Sequence, residues 1–251
     1  MRTDILGVGF DSVTAQQAVL RAFEMISANE KTYIVTPNPE IVWVARRDTK
    51  LSAAINGAGL VLPDGVGIIL AARILGTPLR SGRVPGIDFA AALFEKMAGA
   101  GGRVFLFGAK PEVAFEAGQK LSEKYEGLVI SGTADGYFED DGPVIEQINS
   151  AKPDLLLVCL GAPKQEFWMA ENIGRLRVPL CIGLGGALDV FAGKAKRAPV
   201  FFRKLGLEWL YRLIREPYRI KRMIKLPLFV FVVIWTRIRN RRSLRDVRTG
   251  T

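Results

Sequence analysis

The sequence predicts an α/β fold, a Rossmann-like, mostly parallel sheet with helices on both faces, followed by a basic helical C-terminal appendage. Three observations predict it. Along residues 1–196, short apolar runs alternate with helical segments of roughly 10–15 residues, the pattern of βαβ units. The runs are continuously apolar, DLLLVCL at 154–160 most of all, which fits strands buried on both faces. Near Ala195 the composition then shifts to arginine and aromatics, as in RKLGLEWLYRLIREPYRIKR. The 251 residues suffice for one large domain with an appendage, which we place at 1–196 and 197–251.

Residues 4–8 read as the first strand. Thr14 and Gln17 suit a capping box opening a helix to about residue 27, each side chain satisfying the other's backbone N–H. The β-branched run TYIVT at 32–36 is a strand ended by Pro37-Asn38-Pro39. Pro39 suits the first turn of a helix to about residue 47, where its missing N–H costs nothing. A short strand at 59–62 stops at Pro63-Asp64-Gly65, and helical patterns follow at 66–75 and 86–97, with a loop between them at 80–85. RVFLF at 103–107 is a buried strand leading through Gly108 into a helix to about residue 125. A strand at 128–131, a polar loop at 132–142 and a helix at 143–150 precede the strand at 154–160. Gly161-Ala162-Pro163 opens a helix at 164–173, and the last strand, 180–184, closes at Gly185-Gly186. In the appendage Leu207, Leu210, Tyr211 and Ile214 form one apolar helical stripe, with Arg212 and Arg215 beside it. Pro217 ends or kinks that helix, Arg219 and Arg222 share the next helical face, and residues 239–251 read as a disordered basic end.

The charge is unevenly placed. The net charge is +10, yet residues 197–251 hold fifteen Lys/Arg against three Asp/Glu, so the whole excess sits there. That asymmetry asks for a polyanionic partner, nucleic acid or an anionic membrane surface. No signal peptide opens the chain, which points to the cytoplasm. The longest apolar run, 226–235, has ten residues and contains Pro227, too short for the roughly 20 that a helical span needs. With no histidine, Ser-His-Asp and Cys-His mechanisms are excluded, and any general base is a carboxylate, Lys, Tyr or Cys. The two cysteines lie in apolar runs and read as buried free thiols. There is no D-x-D triplet, and the adjacent Asp140-Asp141 is a poor metal pair, so no metal site is expected.

Three strands end in glycine-rich turns that open helices: FLFGAKPE, VCLGAPKQE and IGLGGALD. Ligands bind parallel sheets outside the carboxyl ends of the strands, and helix N-termini there suit a diphosphate. Gly108 and Lys164 are substrate-binding candidates on that ground, and Asp189 follows the third turn. Asp64, in LPDG, can take a proton from a hydroxyl or cap a helix. Thr36 and Asn38, in VTPNPE, can hydrogen-bond a sugar or base, or serve the turn. Arg83 can meet a phosphate or lie solvated, and Gln165 can bind a ligand or merely start a helix.

TPNPEIVWVARRD, GLVLPDGVGIILAARILGTPLRSGRVPGIDF, FLFGAKPEVAF, LLLVCLGAPKQEFW, GLGGALDVFAGKAKRAP and LGLEWLYRLIREPYR resemble, in colinear order over about residues 3–225, the WecG/TagA/CpsF glycosyltransferases (glycosyltransferase family 26). The resemblance implies an inverting, metal-independent and cofactor-free transfer from a UDP-sugar to a polyprenyl-diphosphate-linked acceptor at the inner face of the cell membrane. N-acetylmannosamine is the implied sugar, with N-acetylmannosaminuronic acid or glucose as alternatives, in the building of a surface polysaccharide or a teichoic acid linkage. Asp64 matches the general base, and Thr36, Asn38, Arg83 and Gln165 match pocket residues. Asp189 lies in a matched block, and Arg212, Arg215, Arg219 and Arg222 match an appendage that meets the membrane and the acceptor diphosphate. Two other readings compete. Nucleic-acid binding explains the basic tail but not the LPLFVFVVIW run beside it. A Rossmann oxidoreductase lacks its GxGxxG. Apolar faces on the body suit either a homo-oligomer interface or docking of the tail.

Overall fold

The structure, a computed structural model, describes residues 2–215 and 225–249. A six-stranded sheet forms its centre, built from β3 (Thr32–Val35), β4 (Leu60–Val61), β5 (Arg103–Gly108), β6 (Val129–Ala134), β7 (Leu155–Cys159) and β8 (Leu180–Gly183). The strand order is β4-β3-β8-β7-β5-β6, and every neighbouring pair is parallel. Side chains alternate across each strand, so the sheet divides two cores. Leu155, Leu157 and Cys159 face one core; Leu156 and Val158 face the other. The first core is packed by α1 (Ala15–Ser27), α5 (Gly86–Ala98), α6 (Pro111–Lys124) and α9 (Ala187–Phe191). The second is packed by α2 (Pro39–Ala45), α3 (Thr49–Asn56), α4 (Val66–Leu75), α7 (Asp141–Ala151) and α8 (Lys164–Asn172). This is the predicted α/β architecture.

Four details differ from expectation. The first strand is half of an antiparallel hairpin, β1 (Arg2–Ile5) with β2 (Val8–Asp11). Leu6 and Gly7 turn it with φ of +55° and +91°, the pairing that two-residue hairpins require. A leucine at the first turn position hid that signal. Helix α3 was not expected; Asp48 caps it through the Leu51 N–H at 3.0 Å. Strand β6 continues through residues 132–134, which read as loop. Gly132 is needed inside the strand because a Cβ would stand 2.6 Å from the Phe105 ring. The chain end is helical rather than disordered, since α12 (Lys225–Thr249) runs to residue 249.

After β8 the chain forms α10 (Val200–Lys204) and α11 (Glu208–Arg215). α12 then packs on α2 and α4. Its Phe229 and Val233, one turn apart, are buried in the second core, and Arg237 Nη1 donates to the Leu75 carbonyl at 2.7 Å. Pro227 lies in its first turn, where the helix needs no N–H. Among the described residues no helix is long and apolar enough to cross a membrane.

Candidate active site

Because the strands are parallel, their carboxyl ends line one edge. At the end of β3 the Thr36 hydroxyl donates to the Gly183 carbonyl of β8 at 3.5 Å. Gly86, the first residue of α5, sits against both strand ends. A Cβ there would lie 2.5 Å from Leu184 Cδ2 and 3.2 Å from Thr36 Oγ1. Asn38 caps α2, its Oδ1 accepting the Ile41 N–H at 3.1 Å, so turn chemistry accounts for that oxygen. Asp64 follows β4 and is half-buried. The N-cap of α4 is Gly65, at φ +90°, rather than Asp64. The adjoining loop is fastened to this turn by the Val84 N–H, which donates to the Pro63 carbonyl at 2.8 Å and brings Arg83 to the same edge.

Of the arginine cluster at this end of the edge the sequence points to Arg83 alone, and not to Arg197, Arg203 or the Asp88 they meet. Arg197 grips Asp88 with both terminal nitrogens, Nη1 to Oδ1 at 2.6 Å and Nη2 to Oδ2 at 3.1 Å. Arg203 Nη1 stands 3.9 Å from the same carboxylate, and Arg83 Nη2 donates to the Arg203 carbonyl. The Arg197 hydrogen bonds hold the Asp88 carboxyl below its ordinary range against the opposing effect of burial, and the charges of Arg197, Arg203 and Arg83 add to this. Reciprocally, Asp88 raises Arg197, with smaller contributions from Glu208 and Asp64, so Arg197 feels the charge of the candidate base. The pair is 109 residues apart, beyond any local motif.

Gln165 is buried at 4% exposure and works inside the protein. Its Oε1 accepts the Gly185 N–H at 2.7 Å and its Nε2 donates to Glu166 Oε1 at 2.9 Å. Glu166 is also buried, its Oε2 has no hydrogen-bond partner among the described residues, and burial raises its carboxyl against the Gln165 hydrogen bond. Gly108 has φ +124°, and a Cβ there would collide with the Cys159 carbonyl, so close approach of β5 to β7 explains this glycine. Lys164 lies toward the β5–β6 side, its Nζ 3.3 Å from the Gly136 carbonyl and 4.3 Å from the Phe138 ring centre. It borders a cavity of about 650 Å³ lined also by Phe138, Asp141 and Trp168. Trp168 Nε1 and Asn172 Nδ2 donate to the two Asp141 oxygens, and Asp140 caps α7. Asp189 is half-buried in α9, the helix that follows the loop Gln165 holds at Gly185. Both cysteines are free and buried; Cys159 is pushed up to about 12 by desolvation and Cys181 also upward.

The edge thus gathers Thr36, Asn38, Asp64 and Arg83 at one end, with Gly108 and Lys164 at the other and Gln165 bracing the loop between. Residues 197–206 lie over the first end. Gly206, at φ +72°, rests on Val66, where a Cβ would meet the valine Cβ at 2.9 Å. Arg215 is exposed and its Nε donates to the Tyr211 hydroxyl at 3.3 Å. Of Arg212 only the backbone, in α11, is described, and Arg219 and Arg222 lie outside the described residues.

The sequence model of the "Glycosyl transferase WecG/TagA/CpsF family" matches residues 3–243. A protein of Staphylococcus aureus (strain MW2) is 36% identical over 235 residues, 92% of each chain. One of Bacillus subtilis (strain 168) is 38% identical over 205 residues, 80% of this chain and 78% of its own. One of Bacillus spizizenii is 37% identical over 209 residues, 83% and 81% of the two chains. All three are named N-acetylglucosaminyldiphosphoundecaprenol N-acetyl-beta-D-mannosaminyltransferase.

Proposed function

We infer the reaction from two facts together: the chain belongs to the WecG/TagA/CpsF family of glycosyltransferases, and its strand ends set the half-buried Asp64 within the field of Arg197. It moves N-acetylmannosamine from a UDP donor to a polyprenyl-diphosphate-linked N-acetylglucosamine, the acceptor in its relatives' names. The transfer inverts the anomeric centre and uses no metal. Asp64 takes the proton as the acceptor hydroxyl attacks the anomeric carbon, and UDP leaves from the opposite face. Charge develops on the departing diphosphate, where Arg83 and its neighbours stabilise it. Thr36 and the Asn38 amide position the sugar, and Asp189 and Lys164 lie along the nucleotide side. The observation that carries this reading is the half-buried Asp64 in the turn after β4, at the strand-end edge to which the Val84 N–H bond to the Pro63 carbonyl also fastens the Arg83 loop.

Residues 197–251 act as the membrane-associating appendage, and the enzyme works on the inner face of the cell membrane. α12 supports this because it carries two apolar stripes. Phe229 and Val233 enter the core, while Leu228, Phe231, Trp235 and Ile238 stay 45–67% exposed. An exposed apolar stripe on a basic segment is what an anionic lipid surface binds. Arg212, Arg215, Arg219 and Arg222 serve the acceptor diphosphate from the same appendage. The test is UDP release from a panel of UDP-sugars with a short-chain GlcNAc-diphospholipid acceptor, in EDTA. Turnover with UDP-N-acetylmannosamine alone is expected. Turnover only with the uronic acid or glucose donor replaces the sugar, and dependence on added metal removes the metal-free mechanism.

A further inference from the structure

Three guanidinium groups converge on one carboxylate beside the reacting edge, and we propose that Arg83, Arg197 and Arg203 form a diphosphate-binding site in which the Asp88 carboxylate stands in for phosphate when the site is empty. This rests on the transferase reading above, whose donor and acceptor both carry a diphosphate. Arg197 gives Asp88 two parallel N–H···O bonds, at 2.6 and 3.1 Å, the fork that a guanidinium offers equally to phosphate oxygens. Its Nε–H is buried and, among the described residues, has no hydrogen-bond partner, a donor that Asp88 leaves unused. The Asp88 side chain is 48% exposed. The carboxylate side of the pair is therefore open to solvent, where a phosphate group of higher charge can exchange for it.

Position supports the same ligand. Asp88 lies in the first turn of α5, two residues after Gly86, which packs against Thr36. Arg197 and Arg203 come from the segment lying over Val66, and the Arg83 bond to the Arg203 carbonyl ties that segment to the loop after α4. Arg197 also feels Asp64 and Glu208.

Two variants of the full chain test the proposal, with UDP affinity by calorimetry and KM for a short-chain GlcNAc-diphospholipid as readouts. Arg197→Gln is expected to weaken UDP binding or raise the acceptor KM by at least about tenfold, or about 1.4 kcal/mol. Whichever constant moves identifies the donor or the acceptor as the source of the diphosphate. Arg197→Lys, which keeps charge but not the fork, is expected to fall between wild type and Arg197→Gln. Asp88→Asn leaves the arginines unoccupied and is expected to move the same constant the other way. If Asp88→Asn weakens that constant, Asp88 is a brace and the proposal is wrong. It is equally wrong if Arg197→Gln, folded by its thermal transition, leaves both constants unchanged. A wild type that binds UDP with these opposed shifts yet transfers no sugar keeps the site and removes the transferase reading. A wild type that transfers sugar while both variants match it removes the site alone.

Discussion

The Gln165 side-chain oxygen accepts the backbone N–H of Gly185 at 2.7 Å, tying the helix after β7 to the loop after β8. Its nitrogen is held in turn by Glu166. The glutamine therefore shapes the edge from beneath. Gln165→Ala strands the Gly185 N–H and takes away the Glu166 donor, and an unmet polar group costs about 1–3 kcal/mol. We expect a stability loss of that size by denaturant unfolding together with a fall in kcat. A variant of unchanged stability that loses only substrate affinity contradicts the brace.

Glu166 makes stability depend on pH in a stated direction. Its carboxyl is raised above the ordinary value of 4.5, chiefly by burial. A raised acid contributes fully below its unfolded value and loses that contribution as pH rises through its folded value. Glu166→Gln cannot ionise, so its Tm relative to wild type should climb as pH rises above 4.5. A Tm difference that stays flat over that range means Glu166 is not held neutral-favouring.

Gly108 separates packing from binding. With φ +124° and the Cys159 carbonyl against its face, Gly108→Ala must both strain the backbone and push β5 from β7. Each effect costs roughly 1–3 kcal/mol. The variant should show a large drop in Tm, or fail to fold. A normal Tm with a raised donor KM assigns the glycine to ligand contact instead.

The two stripes of α12 should separate under mutation. Phe229→Ala, in the core, is expected to cost about 3–5 kcal/mol of stability. Phe231→Ser with Trp235→Ser, both exposed, should leave Tm within a few degrees and abolish co-sedimentation with anionic vesicles. Vesicle binding that survives the exposed pair places the membrane contact elsewhere.

Much of this fold is legible in the chain because its signals are local. Buried strands such as LLLVC are continuous apolar runs, and the turns that follow them carry Gly and Pro. Asp64 and Thr36 could be singled out because each ends or follows such a run, and Arg83 because it stands in a loop where an arginine can meet a phosphate. The hairpin was not legible because Leu6 occupies a position where Asn or Gly is the usual sign. Glu166 looked like an ordinary first-turn carboxylate, and only packing shows it to be buried. The Asp88–Arg197 fork joins α5 to the start of the appendage, and no periodicity encodes a contact across that distance.

Asp64 is the proposed base of the sugar transfer, and Asp64→Asn removes its capacity to take a proton while keeping its size. The measurement is turnover of UDP-N-acetylmannosamine with the short-chain acceptor, beside UDP affinity for the same two proteins. General-base catalysis contributes about 10²–10⁴-fold, so turnover should fall by that factor while UDP affinity stays near wild type. Full turnover in Asp64→Asn contradicts the account.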